Sequence, residues 1–178
     1  SAEEDMETYL LVPEDNAALS NYINLHERGK EEKHLLSDAG AIITEKLSKK
    51  LGIGPGEYLT LKVDSKNSVR IPVAAVTENY AFHYIYLSKN LYTSIFGANP
   101  KYNYITANLA IDNITDEQKV ALAKEFMDEY EISAVAFTDQ IKGSFINILD
   151  AISYIVIILI VCAGLLAFIV LYNLSIIN

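Results

Sequence analysis

The last 28 residues of the chain, Ala151 to Asn178, contain no aspartate, glutamate, lysine or arginine. A helix rises about 1.5 Å per residue, so about 20 apolar residues cross the roughly 30 Å hydrocarbon core of a bilayer. Tyr154 and Tyr172 lie near the two ends of the run, where aromatic side chains favour the membrane interface. A buried helix of a soluble core is the alternative, but such helices are shorter and carry a polar stripe. The run therefore predicts a transmembrane helix over residues 151–174.

An amphipathic pattern leads directly into this apolar run. It predicts a stalk helix over residues 141–150, with apolar positions at Ile141, Phe145, Ile148 and Leu149. The membrane-spanning positions that continue it are apolar or small: Ile155, Leu159, Ala163, Gly164, Ala167 and Leu171. Only two glycines weaken the helical pattern between the stalk and Tyr172, so we predict one continuous helix.

All charged residues lie in the first 150 positions, 23 acidic and 14 basic, which gives a net charge of −9. This pattern predicts a solvated domain over residues 1–140, large enough to fold around its own core. The only cysteine, Cys162, falls in the predicted span, so we expect no disulfide in this domain. Phosphate binding requires clustered lysine and arginine, so the acidic composition argues against nucleic acid as a partner. The predicted span makes membrane lipid an expected partner.

Short alternating and apolar runs predict the first strands of this domain. Residues 8–12 form one such run, and a turn at Pro13 leads from it to a helical pattern with Leu19. A charged stretch over residues 26–36 predicts an exposed loop or connector. Residues 41–43 predict the next strand.

A short helix and a hairpin follow in the sequence. Thr44 is the expected N-terminal cap of the helix, and Gly52 is its expected C-terminal cap. Residues 58–63 and 69–75 alternate between apolar and polar, which predicts two strands joined by a turn. Pro72 lacks an amide donor, which places the second of them at a sheet edge or a bulge.

Helices separate the remaining predicted strands, at residues 84–87, 104–111 and 132–137. Thr115 and Gln118 have the spacing of a capping box, so a helix begins there and completes a β-α-β unit. Hairpin and β-α-β connections together predict an α+β fold, a mixed sheet with helices on one face, followed by a single transmembrane helix.

No pattern in the sequence predicts catalysis. His26 and His34 lie in the charged stretch at a spacing of eight, which does not match a zinc helix, so we interpret them as solvated loop histidines. Gly52, Gly54 and Gly56 follow a helix and precede a strand, the reverse of the order in a phosphate-binding loop. We therefore expect no metal, no cofactor and no enzymatic activity.

Half of the twelve tyrosines lie between residues 80 and 104. Tyrosine is enriched at recognition surfaces, so this region is a candidate partner surface. Its candidate residues are Tyr80, His83, Tyr84, Tyr86 and Tyr92. The alternative is that these aromatic side chains pack on the sheet and against helices.

Four stretches, in this order and spacing, resemble the FtsX-like (MacB-type) permease subunits of bacterial ABC transporters, in the versions with long extracellular domains common in Gram-positive bacteria. The most telling is residues 159–178, which resemble the second membrane helix of such permeases. Glu57 stands where the family more often has aspartate. The other stretches are residues 40–61, residues 73–92, and residues 102–103 with the strand after them.

This resemblance implies a permease subunit that works with a separate cytoplasmic ATPase and a second permease copy. Residues 1–150 would be extracellular, at the cell membrane, and ATP hydrolysis would drive export or control a cell-envelope process. In the family a charged cytoplasmic segment follows this helix, so we expect the sequence to be part of a longer protein. The alternatives are a single-span receptor or sensor that binds a ligand or peptide, and a membrane-anchored hydrolase.

Overall fold

The computed structural model describes residues 6–64, 67–79, 82–111, 113–130 and 132–177, without the side chain of Phe145. The chain divides into two compact units, Ser1–Leu109 and Ala110–Asn178. This division lies earlier in the chain than the domain boundary that the sequence predicts at residue 140. The helix after Thr115 therefore belongs to the same unit as the C-terminal apolar helix.

The first unit contains a mixed, five-stranded sheet among its described residues. Its strands lie in the order β1-β5-β2-β4-β3 across the sheet. β1 is parallel to β5 and β2 to β4, whereas β2 is antiparallel to β5 and β3 to β4. The strands are β1 (Tyr9–Leu11), β2 (Ala41–Thr44), β3 (Tyr58–Lys62), β4 (Ser68–Thr77) and β5 (Tyr84–Tyr86).

Helices occupy both units. The first unit has α1 (Asn16–Leu19), α2 (Glu45–Leu51) and α3 (Lys89–Phe96), and the second has α4 (Asp116–Glu129) and α5 (Thr138–Ile177). The 40 residues of α5 run without interruption through the stalk and membrane segments, which confirms the predicted continuous helix.

The helix caps agree with the sequence at two of three positions. Gly52 ends α2 with a φ of +67°. At the start of α4 the Thr115 hydroxyl accepts from the Gln118 amide, and the Gln118 side chain accepts from the Thr115 amide. Thr44 begins α2, but its side chain does not cap the helix. Its hydroxyl instead accepts from the Tyr84 backbone amide at 3.3 Å, because the adjacent strand β5 brings that donor within reach.

Apolar side chains cover both faces of the sheet. The larger helices α2 and α3 pack on one face through Leu47 and Leu91, as the fold prediction required. On the other face, Leu25 and Leu36 are buried against Ile42 and Tyr86. The charged stretch after residue 25 is therefore anchored at both ends, because its flanking leucines cover apolar surface.

Pro72 lies beside an irregularity inside the sheet. β4 pairs with a strand on each side, so Pro72 does not lie at a sheet edge. It lies beside a bulge, because the register between β2 and β4 shifts between Ala41 and Ile42. The chain passes very close to Pro72 at this point. A Cβ on Gly40 would lie 2.7 Å from the Pro72 carbonyl oxygen, so a larger residue does not fit there.

Residues 104–111 and 132–137 are not strands in the described structure, so the predicted β-α-β unit is wrong in its two strands. Tyr104 and Ile105 are 77% and 78% exposed. No described residue forms a backbone–backbone hydrogen bond with residues 101–111. An alternating run becomes a strand only where a neighbouring strand pairs with its amides and carbonyls, and here none does.

Candidate functional site

The aromatic row is a line of four rings on one face of the sheet, formed by Phe82, Tyr9, Tyr84 and Tyr86. Tyr9 and Tyr84 are aligned in the parallel pair of β1 and β5, with ring centroids 5.5 Å apart. Phe82 lies edge-on to Tyr9 at 5.5 Å, and Tyr86 stacks on Tyr84 at 5.9 Å. Such pairs have the spacing at which aromatic rings attract one another.

The aromatic row changes from exposed to buried along its length. Phe82 is 62% exposed and Tyr9 is 47% exposed, whereas Tyr86 is 5% exposed in the core. Burial, with a smaller contribution from Tyr84, raises the pKa of the Tyr86 phenol to about 12. Phe82 has a φ of +60°, which is rare for a bulky residue. The exposed end of the row is thus an apolar surface set by an unusual backbone conformation.

The predicted tyrosine surface is only partly brought together. Tyr84, Tyr86 and His83 lie along β5 and its approach, but Tyr92 stacks on Phe96 in α3, against the opposite face of the sheet. Tyr80 lies outside the described residues. The His83 carbonyl accepts from the Tyr9 amide at 2.8 Å, and its Nδ1 is buried without a hydrogen-bond partner among the residues described.

A charged cluster forms where the parallel strands β2 and β4 end. Arg28 donates to Glu45 at 2.8 Å and lies 3.5 Å from Glu78, which in turn lies 3.4 Å from His26. Lys49 pairs with Glu45, and hydrogen bonds from Lys49 and Arg28 hold the pKa of the Glu45 carboxyl below its usual value. The cluster fastens the connector after residue 25 to the sheet.

Backbone hydrogen bonds fix the two histidines of the charged stretch, His26 and His34. The His26 backbone is fixed by Thr77, whose hydroxyl accepts from the His26 amide at 3.0 Å. The His34 amide donates to the Leu25 carbonyl at 2.7 Å. No group of three or more His, Cys, Asp or Glu side chains suited to a metal occurs within the described ranges.

Ser88 is fully buried and links α3 to the residues just before β2. Its hydroxyl accepts from the Leu91 amide at 3.0 Å, as an N-terminal cap, and donates to Asp38. Hydrogen bonds from Ser88 and then Asn90 lower the pKa of the Asp38 carboxyl. The Ser88 hydroxyl therefore caps α3 and donates its proton to Asp38 at the same time. The sequence analysis missed this pair, since the two residues are fifty positions apart.

In the second unit, Lys119 joins α4 to the first turn of α5. Lys119 is 6% exposed, and its ammonium group pairs with Asp139 on α5 and lies 3.3 Å from Asp116. These partners raise the pKa of Lys119, with the Asp139 hydrogen bond as the largest cause. The sequence analysis missed this joint. Its only signal in the sequence was a lysine on the otherwise apolar face of α4.

α5 is long enough and apolar enough to cross a membrane. All six membrane-spanning positions expected from the sequence lie on it, and its described side chains from residue 151 to residue 177 are exposed. The stalk positions Ile141, Ile148 and Leu149 are exposed on the same helix, and the Phe145 side chain lies outside the description. An exposed apolar surface of this length requires lipid or protein around it.

Comparisons with family models, with curated proteins and with solved structures found no match for this chain.

Proposed function

We propose that the chain is the extracellular domain, stalk and membrane helix of an FtsX-like permease subunit of a bacterial ABC transporter. Four stretches of its sequence resemble this family, and that resemblance supports the assignment. The observation that carries it is α5, a single 40-residue helix that continues beyond the apolar run. At about 1.5 Å per residue, α5 is about 60 Å long, roughly twice the hydrocarbon thickness of a bilayer.

In this proposal the subunit transmits motion and performs no chemistry of its own. A separate cytoplasmic ATPase hydrolyses ATP, and α5 carries the resulting tilt or shift across the membrane into the stalk. The ion pair of Lys119 with Asp139 fixes α4 to the outer end of that rod. Residues 1–150 are extracellular, and the output is export or the control of a cell-envelope process.

Membrane insertion is tested with Cys162, the only cysteine. It lies eight residues from Tyr154 and ten from Tyr172, about 12 and 15 Å along the helix, near the bilayer centre. In intact cells, a membrane-impermeant maleimide should leave Cys162 unlabelled and should label Ile146→Cys in a Cys162→Ala chain. Labelling after denaturation controls for thiol reactivity. Equal labelling of both thiols without denaturant contradicts insertion.

The transporter assignment is tested by purifying the protein from its native membranes in mild detergent. We expect an ATPase with nucleotide-binding motifs to co-purify in stoichiometric amount and to hydrolyse ATP in a vanadate-sensitive manner. A membrane-inserted protein that brings no ATPase with it contradicts the permease assignment and leaves membrane insertion intact.

The second candidate is a single-span receptor or sensor, which the exposed end of the aromatic row favours. Phe82 and Tyr9 present apolar rings to solvent at the edge of the sheet, as a ligand-binding or peptide-binding surface requires. For a receptor, Phe82→Ser should abolish ligand binding while membrane insertion and folding persist. For the permease, the ATPase should still co-purify with that variant.

A further inference from the structure

Residues 101–109 form neither helix, strand nor turn, and every one of them is exposed. We call this stretch the open segment. Lys101 carries its only charge. No described residue forms a backbone–backbone hydrogen bond with it. The amides and carbonyls of the open segment are therefore accessible to another molecule that binds an extended chain.

Endopeptidases need an accessible backbone of this kind. The active-site cleft holds the substrate as an added strand, with main-chain hydrogen bonds along it and a pocket for the side chain before the scissile bond. Where the substrate backbone is already paired, the fold must first open locally, and the rate of cutting falls with the population of the open form. In the open segment no backbone bond to a described residue has to break. Cutting there needs no unfolding of the sheet.

Two tyrosines of the open segment differ in how far they project into solvent. Tyr104 is 77% exposed, and Ile105 after it is 78% exposed. Tyr102 is 47% exposed, and the Lys89 ammonium group lies 6.0 Å from the centroid of its ring. An apolar pocket that accepts an aromatic side chain can therefore enclose more of Tyr104, and enclosing apolar area is what stabilises such a complex.

We propose that the peptide bond between Tyr104 and Ile105 is a processing site, cut in the folded chain by an endopeptidase whose pocket accepts an aromatic side chain. Water adds across the bond: the Tyr104 carbonyl carbon takes the hydroxyl, and the Ile105 nitrogen takes the proton and becomes a new amino terminus. All five strands of the described sheet precede this bond, and α5 follows it. The cut therefore breaks the covalent link between the sheet and the membrane helix. An extracellular protease rests on the proposed function, whereas the choice of bond does not.

Limited chymotrypsin digestion of the full chain in detergent micelles tests the choice of bond, because this protease cuts after aromatic residues. The first N-terminal product, identified by mass spectrometry, should end at Tyr104. Tyr58 is the internal control, since its side chain is 53% exposed but its backbone lies in β3, which pairs with β4. Cutting after Tyr104 should be several-fold faster than cutting after Tyr58. Equal or faster cutting after Tyr58 overturns the proposal.

Substitutions at residue 105 separate cutting from folding. Ile105→Pro removes the amide hydrogen at the scissile bond and fixes the local φ. That amide donates to no described backbone carbonyl, so the fold should be retained. Ile105→Ala is the matched control, because it also shortens the side chain but keeps the amide hydrogen. Chymotrypsin should cut the Ile105→Ala chain after Tyr104 and should leave that bond intact in the Ile105→Pro chain.

The same three chains, produced in the protein's native cells, test processing. Mass spectrometry of the membrane fraction and of the medium should find a fragment that ends at Tyr104 for the unaltered chain and for Ile105→Ala, and not for Ile105→Pro. Absence of that fragment from all three chains, or its presence for Ile105→Pro, overturns the proposal. Labelling of Cys162 by the impermeant maleimide refutes membrane insertion instead, and it leaves the cut after Tyr104 in place.

Discussion

At the residue scale, the polar side chains that hold the first unit together act between distant parts of the chain. Ser88 is buried at the start of α3 and donates to Asp38, just before β2, while Thr77 fixes the backbone of His26. Each of these short side chains satisfies a backbone group that would otherwise be buried without a partner. These side chains stabilise the fold, and single substitutions measure how much each one contributes to the free energy of unfolding.

Ser88→Ala should lower the free energy of unfolding by about 0.5–2 kcal/mol, because it removes the N-terminal cap of α3. Ser94→Ala is the matched control, since Ser94 lies on the same helix and bonds only back to the Leu91 carbonyl. Denaturant unfolding of the protein in detergent micelles measures both. Equal destabilisation by the two substitutions contradicts a capping role.

Asp38 should contribute to stability in a pH-dependent way. Its hydrogen bonds lower its folded-state pKa below the ordinary value of 3.8, so its contribution is present above pH 3.8 and is lost as the pH falls through the folded-state pKa. Asp38→Asn should therefore make the decline of stability below that pH shallower. Asp128→Asn, on the exposed surface of α4, is the control. An unchanged pH profile for Asp38→Asn would exclude this contribution.

At the element scale, α4 and α5 form the part of the molecule suited to transmitting motion. α4 begins with a complete capping box, and its buried Lys119 is paired with the first turn of α5. α5 has no proline along its 40 residues. The helix therefore keeps its i to i+4 hydrogen bonds from the stalk into the apolar run.

Lys119→Met keeps most of the side-chain volume and removes the ion pair with Asp139. We expect faster amide hydrogen exchange in the first turn of α5, because that turn loses its attachment to α4. Lys124→Met, at an exposed position of the same helix, should leave the exchange unchanged. Hydrogen exchange read by mass spectrometry makes the comparison, and unaltered protection around residue 139 in Lys119→Met would rule out the joint.

Phe145→Pro should break α5 within the stalk, on the side of the extracellular domain. Proline removes one helical hydrogen bond and clashes with the carbonyl four residues earlier, at a cost of about 3 kcal/mol. In the permease that we propose, we expect ATP hydrolysis and membrane insertion to persist while transport is lost. Phe145→Ala controls for the side chain. Full transport by Phe145→Pro at normal expression would exclude a rigid-rod mechanism.

At the scale of the whole molecule, composition changes abruptly at Asp150, the last charged residue. The described residues before it form a sheet with two covered faces, and those after it form an apolar helix with no polar face. The change falls inside α5, so surface suited to water gives way to surface suited to lipid within the second unit.

The full chain should sediment with membranes or require detergent, whereas a chain ending at Lys142 should be soluble and unfold cooperatively. The physical reason is that the apolar surface of residues 151–177 is removed and the buried sheet is retained. Ultracentrifugation and thermal unfolding of both proteins make the comparison. A full chain that stays in solution without detergent would contradict the membrane assignment.

Elements whose signal lies within a few neighbouring residues could be predicted from the sequence. The pair Thr115 and Gln118 predicted where α4 begins, and Gly52 predicted where α2 ends. The uncharged run predicted the apolar part of α5. Helical hydrogen bonds and caps join residues a few positions apart, so the residues that decide them are neighbours in the chain.

Strand pairing and side-chain contacts between distant parts of the chain became visible only in the folded structure. Residues 104–111 alternate like a strand yet form none, because a strand needs a partner for its amides and carbonyls and no described residue pairs with them. Tyr84 and Tyr92 both belong to the tyrosine-rich stretch, but the sheet separates them onto opposite faces. The contacts of Ser88 with Asp38 and of Lys119 with Asp139 exist only because the fold brings distant segments together. Pairing and burial are non-local, and local pattern does not encode them.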